Sequence, residues 1–131
     1  RNDHTDGHID NLARFVAANH ILIPQGAGAN DPNSAAFDDA HKRAEAFGCQ
    51  VSNMPSVGRF IQDGEAVPAS YMNFYIGNHN VVVPIYGAEN DDAAITTLAA
   101  LFPDRRVVGV MADAVLTGGG SFHCSSQQIP I

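Results

Sequence analysis

Apolar and polar positions run in short bursts along this chain, and the bursts recur. Residues 14–24 read RFVAANHILIP, and residues 73–84 read NFYIGNHNVVVP. Each is an apolar run, an Asn-His step (Asn19-His20 and Asn78-His79), and a second apolar run ending in proline. Asn tolerates left-handed backbone geometry, so each step predicts a hairpin turn between two strands, with His20 and His79 in solvent. A loop and a helical period follow each hairpin. Phe37, Ala40, Ala44 and Phe47 recur at helical spacing behind the capping group Asp31-Pro32-Asn33-Ser34, and Gly48 stops that helix. Ala94, Ile95, Leu98 and Leu101 share one face of a second helix, capped by Asn90-Asp91 and halted by Pro103. A β-branched strand closes each unit, at 51–54 and at 107–111. The predicted unit is therefore β-β-α-β, present twice, with Asn19 and Asn78 lying 59 positions apart. Such repetition is the signature of an array in which each unit covers its neighbour. Between the units, residues 55–70 carry Pro55, Gly58, Gly64 and Pro68 and read as a surface loop.

Composition narrows the function classes. The chain has 131 residues and is 45% apolar, enough for a packed core, while only 16% are charged, which excludes a disordered segment. Its net charge is −7, and its seven Lys and Arg form no run longer than two, which argues against nucleic acid. No apolar run is long enough to span a membrane, and no signal peptide is visible. Two cysteines make no disulfide framework, so a reducing, cytoplasmic setting is expected. The chain begins at Arg1 on a polar segment, which reads as a piece cut from something longer.

The chemistry sits at the two ends. Cys124 lies just beyond Gly118-Gly119-Gly120 and beside His123. Glycines let a backbone approach a ligand closely and leave amides free to bond it. A thiol attacks only as thiolate, and a cationic neighbour favours that form. If this stretch is a strand, however, His123 and Cys124 point to opposite faces. The competing reading is a glycine turn entering an edge strand with Cys124 as core filler. At the other end, His8 and Asp10 lie two apart and face one side of an extended segment, so Asp10 could share a ligand with His8 or hold its ring. The competing reading is a turn at Asp6-Gly7 with a surface histidine. His4, His8, Asp10, His123 and Cys124 hold enough donors for zinc, but paired metal-ligand spacings are missing, so no metal is expected. Cys49 reads as core, Met54, Met72 and Met111 as core or loop filler, His41 as packing or surface, and Tyr71, Phe74 and Tyr75 as strand packing.

Taken together, these residues resemble the agmatine deiminases, grouped with the bacterial-type peptidylarginine deiminases. The resemblance runs through TDGHIDNLARFV at 5–16, the Asp31-Pro32-Asn33 turn, PASYMNFYIGN at 68–78, VVVPIYG at 81–87, LFPDRRVVGV at 101–110 and GGGSFHCSSQQIP at 118–130. It implies the pentein fold, an α/β propeller of five β-β-α-β units. Residues 1–131 would form the C-terminal part of one such domain, about two units plus the catalytic segment. It implies hydrolysis of a guanidinium to a ureido group and ammonia, with agmatine or an arginine as substrate and no cofactor. Cys124 would be the nucleophile and His8 the acid and base. Asp10 would bind the guanidinium, with Gly118, Gly119 and Gly120 beside it. The family's Trp-x-Arg-Asp motif cannot be present, because the chain has no Trp. The carboxylates of that half would have to come from elsewhere, and the uncovered edges imply a homo-oligomer or a missing N-terminal half. The alternative is a non-catalytic module that oligomerises and binds a cationic ligand.

Overall fold

The computed structural model describes residues 7–28 and 31–129. His4, Asp6 and Pro130, named above, lie outside the described residues.

The β-β-α-β order occurs twice. In the first unit β1 (Arg14–Ala17) pairs antiparallel with β2 (His20–Gln25), α1 (Ser34–Ala46) crosses over, and β3 (Gln50–Pro55) returns parallel to β2. The intervening hairpin β4 (Phe60–Gln62) and β5 (Glu65–Val67) stands apart as its own two-stranded sheet. The second unit repeats the first with β6 (Tyr75–Ile76), β7 (Asn80–Ile85), α2 (Asp91–Leu101) and β8 (Arg106–Met111). A one-turn helix, α3 (Asp113–Leu116), leads into the glycines. Strand order is β1-β2-β3 in one sheet and β6-β7-β8 in the other. The middle strands β2 and β7 read as apolar runs, and their central residues Leu22, Ile23, Val81 and Val83 are fully buried. This is the burial expected of strands covered on both faces.

The core gathers on the second unit. Val81, Val83, Ala94, Leu98 and Phe102 pack with Met54, Tyr71, Met72, Phe74 and Leu116. On α2 the expected face is the buried one, with Ala94 and Leu98 inside and Ile95 and Leu101 at its margin.

Several details differ from the sequence reading. The first turn is Ala18-Asn19, one residue earlier than predicted, because Asn19 itself takes the left-handed conformation at φ 56°. His20 therefore belongs to β2, half-buried, with Nε2 at 2.8 Å from Ser52 Oγ, rather than in solvent. His79 stays exposed in the second turn. Phe47 is not on the buried face. The helix ends at Ala46, Gly48 turns the chain at φ 88°, and Phe47 is left 86% exposed. Asn33 and Asn90 sit at the caps without side-chain cap bonds; Asp31 accepts from the amides of Ala27 and Asn33 instead. Cys49 is half-buried and outside the core, and Met111 is exposed. Tyr71 is buried on a turn of 3₁₀ helix, Tyr71–Asn73, and Phe74 is buried just beyond it, neither on a strand; only Tyr75 enters β6.

The supposed surface loop at 55–70 contains the β4–β5 hairpin. Asp63 and Gly64 take φ 52° and 83°, the paired left-handed geometry of a two-residue hairpin turn. Phe60 and Val67 pack on the core, and the Phe60 ring lies 5.4 Å from that of Tyr86.

Candidate active site

Three distant segments meet behind the second unit. The first is a 3₁₀ turn, Ile9–Asn11, which closes with the Leu12 amide on the Ile9 carbonyl at 2.9 Å. The segment is not extended as expected; His8 precedes the turn, exposed, and Asp10 enters it, 8% exposed. The second is the Tyr71–Asn73 turn, capped by Ser70 Oγ on the Met72 amide. The third is 121–125, where the Ser125 amide bonds the Ser121 carbonyl at 3.1 Å and bends the chain into a turn. That turn replaces the predicted strand. Its consequence is that His123 and Cys124, adjacent in sequence, reach the same atom rather than opposite faces.

That atom is Asp10 Oδ2. It accepts from His123 Nδ1 at 2.7 Å, Cys124 Sγ at 3.1 Å and Asn73 Nδ2 at 3.2 Å. Burial pushes the Asp10 carboxyl up. The bonds from His123 and Cys124 and the charges of His123 and His8 outweigh burial and hold it below its ordinary 3.8. Asp10 is therefore ionised, and Nδ1 of His123 carries the proton they share. The other oxygen, Oδ1, is buried and has no hydrogen-bond partner among the described residues. A buried carboxylate oxygen in that condition costs free energy until a donor reaches it.

His8, Asp10 and Cys124 present side-chain donor atoms within 4.8 Å of one another. The sequence reading named all three, and the fold brings them together. They could surround a cation, though Cys124 Sγ and Asp10 Oδ2 already bond to each other and to Asn73. Cys124 is exposed, not core filler. It opens on a cleft of about 250 Å³ shared with His8, Val115, Gly118, Gly119, Gly120 and Ser125. A wider cleft of about 790 Å³ adjoins it, between the glycines and the β4–β5 hairpin. Gln62 Nε2 ties that hairpin to the Asp113 carbonyl at 3.2 Å.

The three glycines line this cleft, but two of their amides are already engaged. The amides of Gly118 and Gly119 are not free; they bond the Val115 and Leu116 carbonyls and end α3. Gly119 turns the chain at φ 83°. Gly120 leaves room for the Cys124 side chain, since a Cβ there would lie 2.7 Å from Cys124 Cβ and 3.0 Å from its Sγ.

Arg14 and Asn73 escaped the sequence reading. Arg14 Nη1 donates to the carbonyls of Met72 at 3.1 Å and Phe74 at 2.6 Å, and its guanidinium lies 4.3 Å over the Phe74 ring. Burial lowers its pKa, while the charges of Asp10 and Cys124 oppose the shift. Nothing in the local pattern marked either residue. The only available signal was that both fall inside the segments that carried the resemblance.

The profile of the Porphyromonas-type peptidyl-arginine deiminases matches residues 1–130. A protein of Enterococcus faecalis, provisionally named an agmatine deiminase, is 36% identical over 98% of this chain and 41% of its own length. Among solved structures, C. jejuni agmatine deiminase is similar with a TM-score of 0.87 and 28% identity, over 97% of this chain and 40% of that one. The agmatine deiminase of Enterococcus faecalis, described as catalysing its reaction, gives a TM-score of 0.79 at 32% identity, over 91% of this chain and 39% of that one. The chain thus spans about two fifths of the length of these relatives.

Proposed function

Because this chain belongs to the Porphyromonas-type peptidyl-arginine deiminase family, we propose that it carries the nucleophilic part of a guanidine hydrolase acting on agmatine or an arginine. The observation that carries the reading is Asp10. One of its oxygens is held by three protein donors, Cys124 among them, and the other is buried with no hydrogen-bond partner among the described residues. A guanidinium is a permanent cation with planar N–H donors, so it suits that free oxygen. Its positive charge then favours the thiolate of Cys124 next to it.

In the proposed reaction Cys124 Sγ forms a bond to the guanidinium carbon. One C–N bond breaks with its electron pair going to nitrogen, which takes a proton from His8 and leaves as ammonia. The carbon remains on sulfur as a thiouronium. His8, now neutral, takes a proton from water as the water oxygen adds to that carbon. The C–S bond breaks with its electron pair going to sulfur, the remaining proton of the added water is lost to solvent, the thiolate is restored, and a neutral ureido product departs. The glycines at 118–120 line the approach. Further carboxylates on the guanidinium come from outside these 131 residues.

The same reading gives the architecture. The two β-β-α-β units are two blades of a pentein, and residues 14–54 superpose on 73–111 after about one fifth of a turn. The test of function places this chain in the corresponding segment of the E. faecalis relative. The chimaera is expected to release ammonia from agmatine or an arginine substrate, and Cys124→Ala in it to release none. A folded chimaera that binds agmatine without releasing ammonia would replace this reading with that of a cation-binding module. A folded chimaera that neither binds nor hydrolyses would overturn both.

A further inference from the structure

We propose that Asn73 is the positioning residue of this site, the side chain that holds the Cys124 sulfur and the Asp10 carboxylate in register and supplies the donor that stabilises the thiolate. The proposal rests on the hydrolase reading for its catalytic meaning, and on geometry for everything else.

Asn73 is 2% exposed, and its amide is fully engaged. The oxygen accepts from two successive backbone amides, His123 at 3.0 Å and Cys124 at 3.1 Å. The nitrogen's two N–H groups are shared among Asp10 Oδ2 at 3.2 Å, Asn11 Oδ1 at 3.1 Å and Cys124 Sγ at 3.0 Å. The partners fix the orientation, since a flipped amide would set its NH₂ against two N–H donors. One side chain thus joins the Ile9–Asn11 turn to the 121–125 turn. It is itself held from behind, because Arg14 grips the carbonyls on either side of it.

The sulfur has two polar neighbours of opposite effect. In the thiol form it donates to Asp10 Oδ2 at 3.1 Å. Once ionised, that contact sets two negative groups together, whereas the Asn73 N–H becomes a charge-assisted donor. Among the described residues, Asn73 is the only side chain hydrogen-bonded to Cys124 Sγ as a donor. Removing that donor therefore disfavours the thiolate.

The experiment needs no substrate and uses this chain as it stands. Alkylation of Cys124 by iodoacetamide is followed by mass spectrometry across pH in the unaltered chain and in Asn73→Asp. That variant keeps the acceptor for the two amides and loses the donor, but it sets a new carboxylate beside the sulfur, so the neutral Asn73→Ala is followed beside it. The groups that act on the sulfur, His8, Asp10, Arg14, Tyr86 and His123, are unchanged in both. Cys49, just before β3, reports in the same molecule whether the fold persists. The expected result is a Cys124 midpoint displaced upward in both variants, with alkylation near neutral pH slowed about tenfold for each unit of displacement, and Cys49 unaffected. A Cys124 profile in Asn73→Ala that superimposes on that of the unaltered chain, with Cys49 unaffected, would overturn the proposal. Should either variant expose Cys49, the unaltered chain decides. The Asn73 side-chain NH₂ resonances are expected to move with the Cys124 midpoint and to stop moving in Cys124→Ser; resonances that ignore the titration would overturn it too. A chimaera that releases no ammonia sinks the hydrolase reading and leaves these measurements standing.

Discussion

At the scale of single residues, Asp10 divides its labour between two oxygens. Oδ2 is committed to the protein and Oδ1 is held in reserve. That division has a pH signature. The folded carboxyl ionises below 3.8, so its bonds contribute stability that is fully present above the unfolded value and is lost as pH falls through the folded one. The urea midpoint is expected to fall as pH drops below about 4, and Asp10→Asn to flatten that part of the curve while lowering stability at neutral pH. A midpoint with the same acid dependence in Asp10→Asn would show that other carboxylates set it. His8, Asp10 and Cys124 were legible in the sequence because each is a reactive type in a recognisable motif. Asn73 and Arg14 were not, since an amide or a guanidinium acquires its role only from what folding puts around it. The pairing of His123 with Asp10 was hidden for the same reason: it needs the 121–125 turn, which Ser121 and Ser125 close without any periodic pattern.

At the scale of elements, Asp91, the first residue of α2, organises the loop that leads into the helix rather than capping the helix itself. Its carboxylate accepts from the amides of Tyr86, Gly87 and Ala88 and from the Tyr71 hydroxyl at 2.7 Å. Burial first, then the bond and charge of Asp91, push the Tyr71 phenol far above its ordinary value. Tyr86 is likewise pushed up to about 12, chiefly by burial. Both rings therefore remain neutral donors throughout the range in which the chain folds. Asp91→Ala strands several amides and the Tyr71 hydroxyl, and is expected to cost about 2–4 kcal/mol in urea unfolding. A loss under about half a kcal/mol would mean that water replaces the carboxylate without penalty. Asp31 takes the Ala27 amide four residues back, as Asp91 takes that of Gly87, so the repeat extends to its loops. The strand and helix order was readable because apolar runs and helical faces span many residues. The β4–β5 hairpin was not, because three-residue strands are too short to show alternation; its Asp63-Gly64 turn was the signal that the loop reading passed over.

At the scale of the molecule, each three-stranded sheet ends in uncovered strands. Phe15 on β1 is 63% exposed, and Val110 and Met111 on β8 are exposed beside each other. Apolar edges of this kind favour association. The chain on its own is expected to sediment as an oligomer at micromolar concentration, and Phe15→Glu to shift it towards monomer. A folded, monodisperse monomer in the unaltered chain would refute this. No helix of the described residues is long and apolar enough to cross a membrane.

The bonds that converge on Asn73 also set an order of events during folding. They close spans of 51 residues to Cys124 and 63 to Asp10. Each hairpin, by contrast, closes within a few residues, and contacts distant in sequence are slower to form than local ones. A nascent chain can thus complete both sheets before residues 121–125 emerge from the ribosome, and until they arrive the site does not exist. Thiol reactivity at Cys124 is then a clock for the final step of folding, striking only after the rest of the structure is in place.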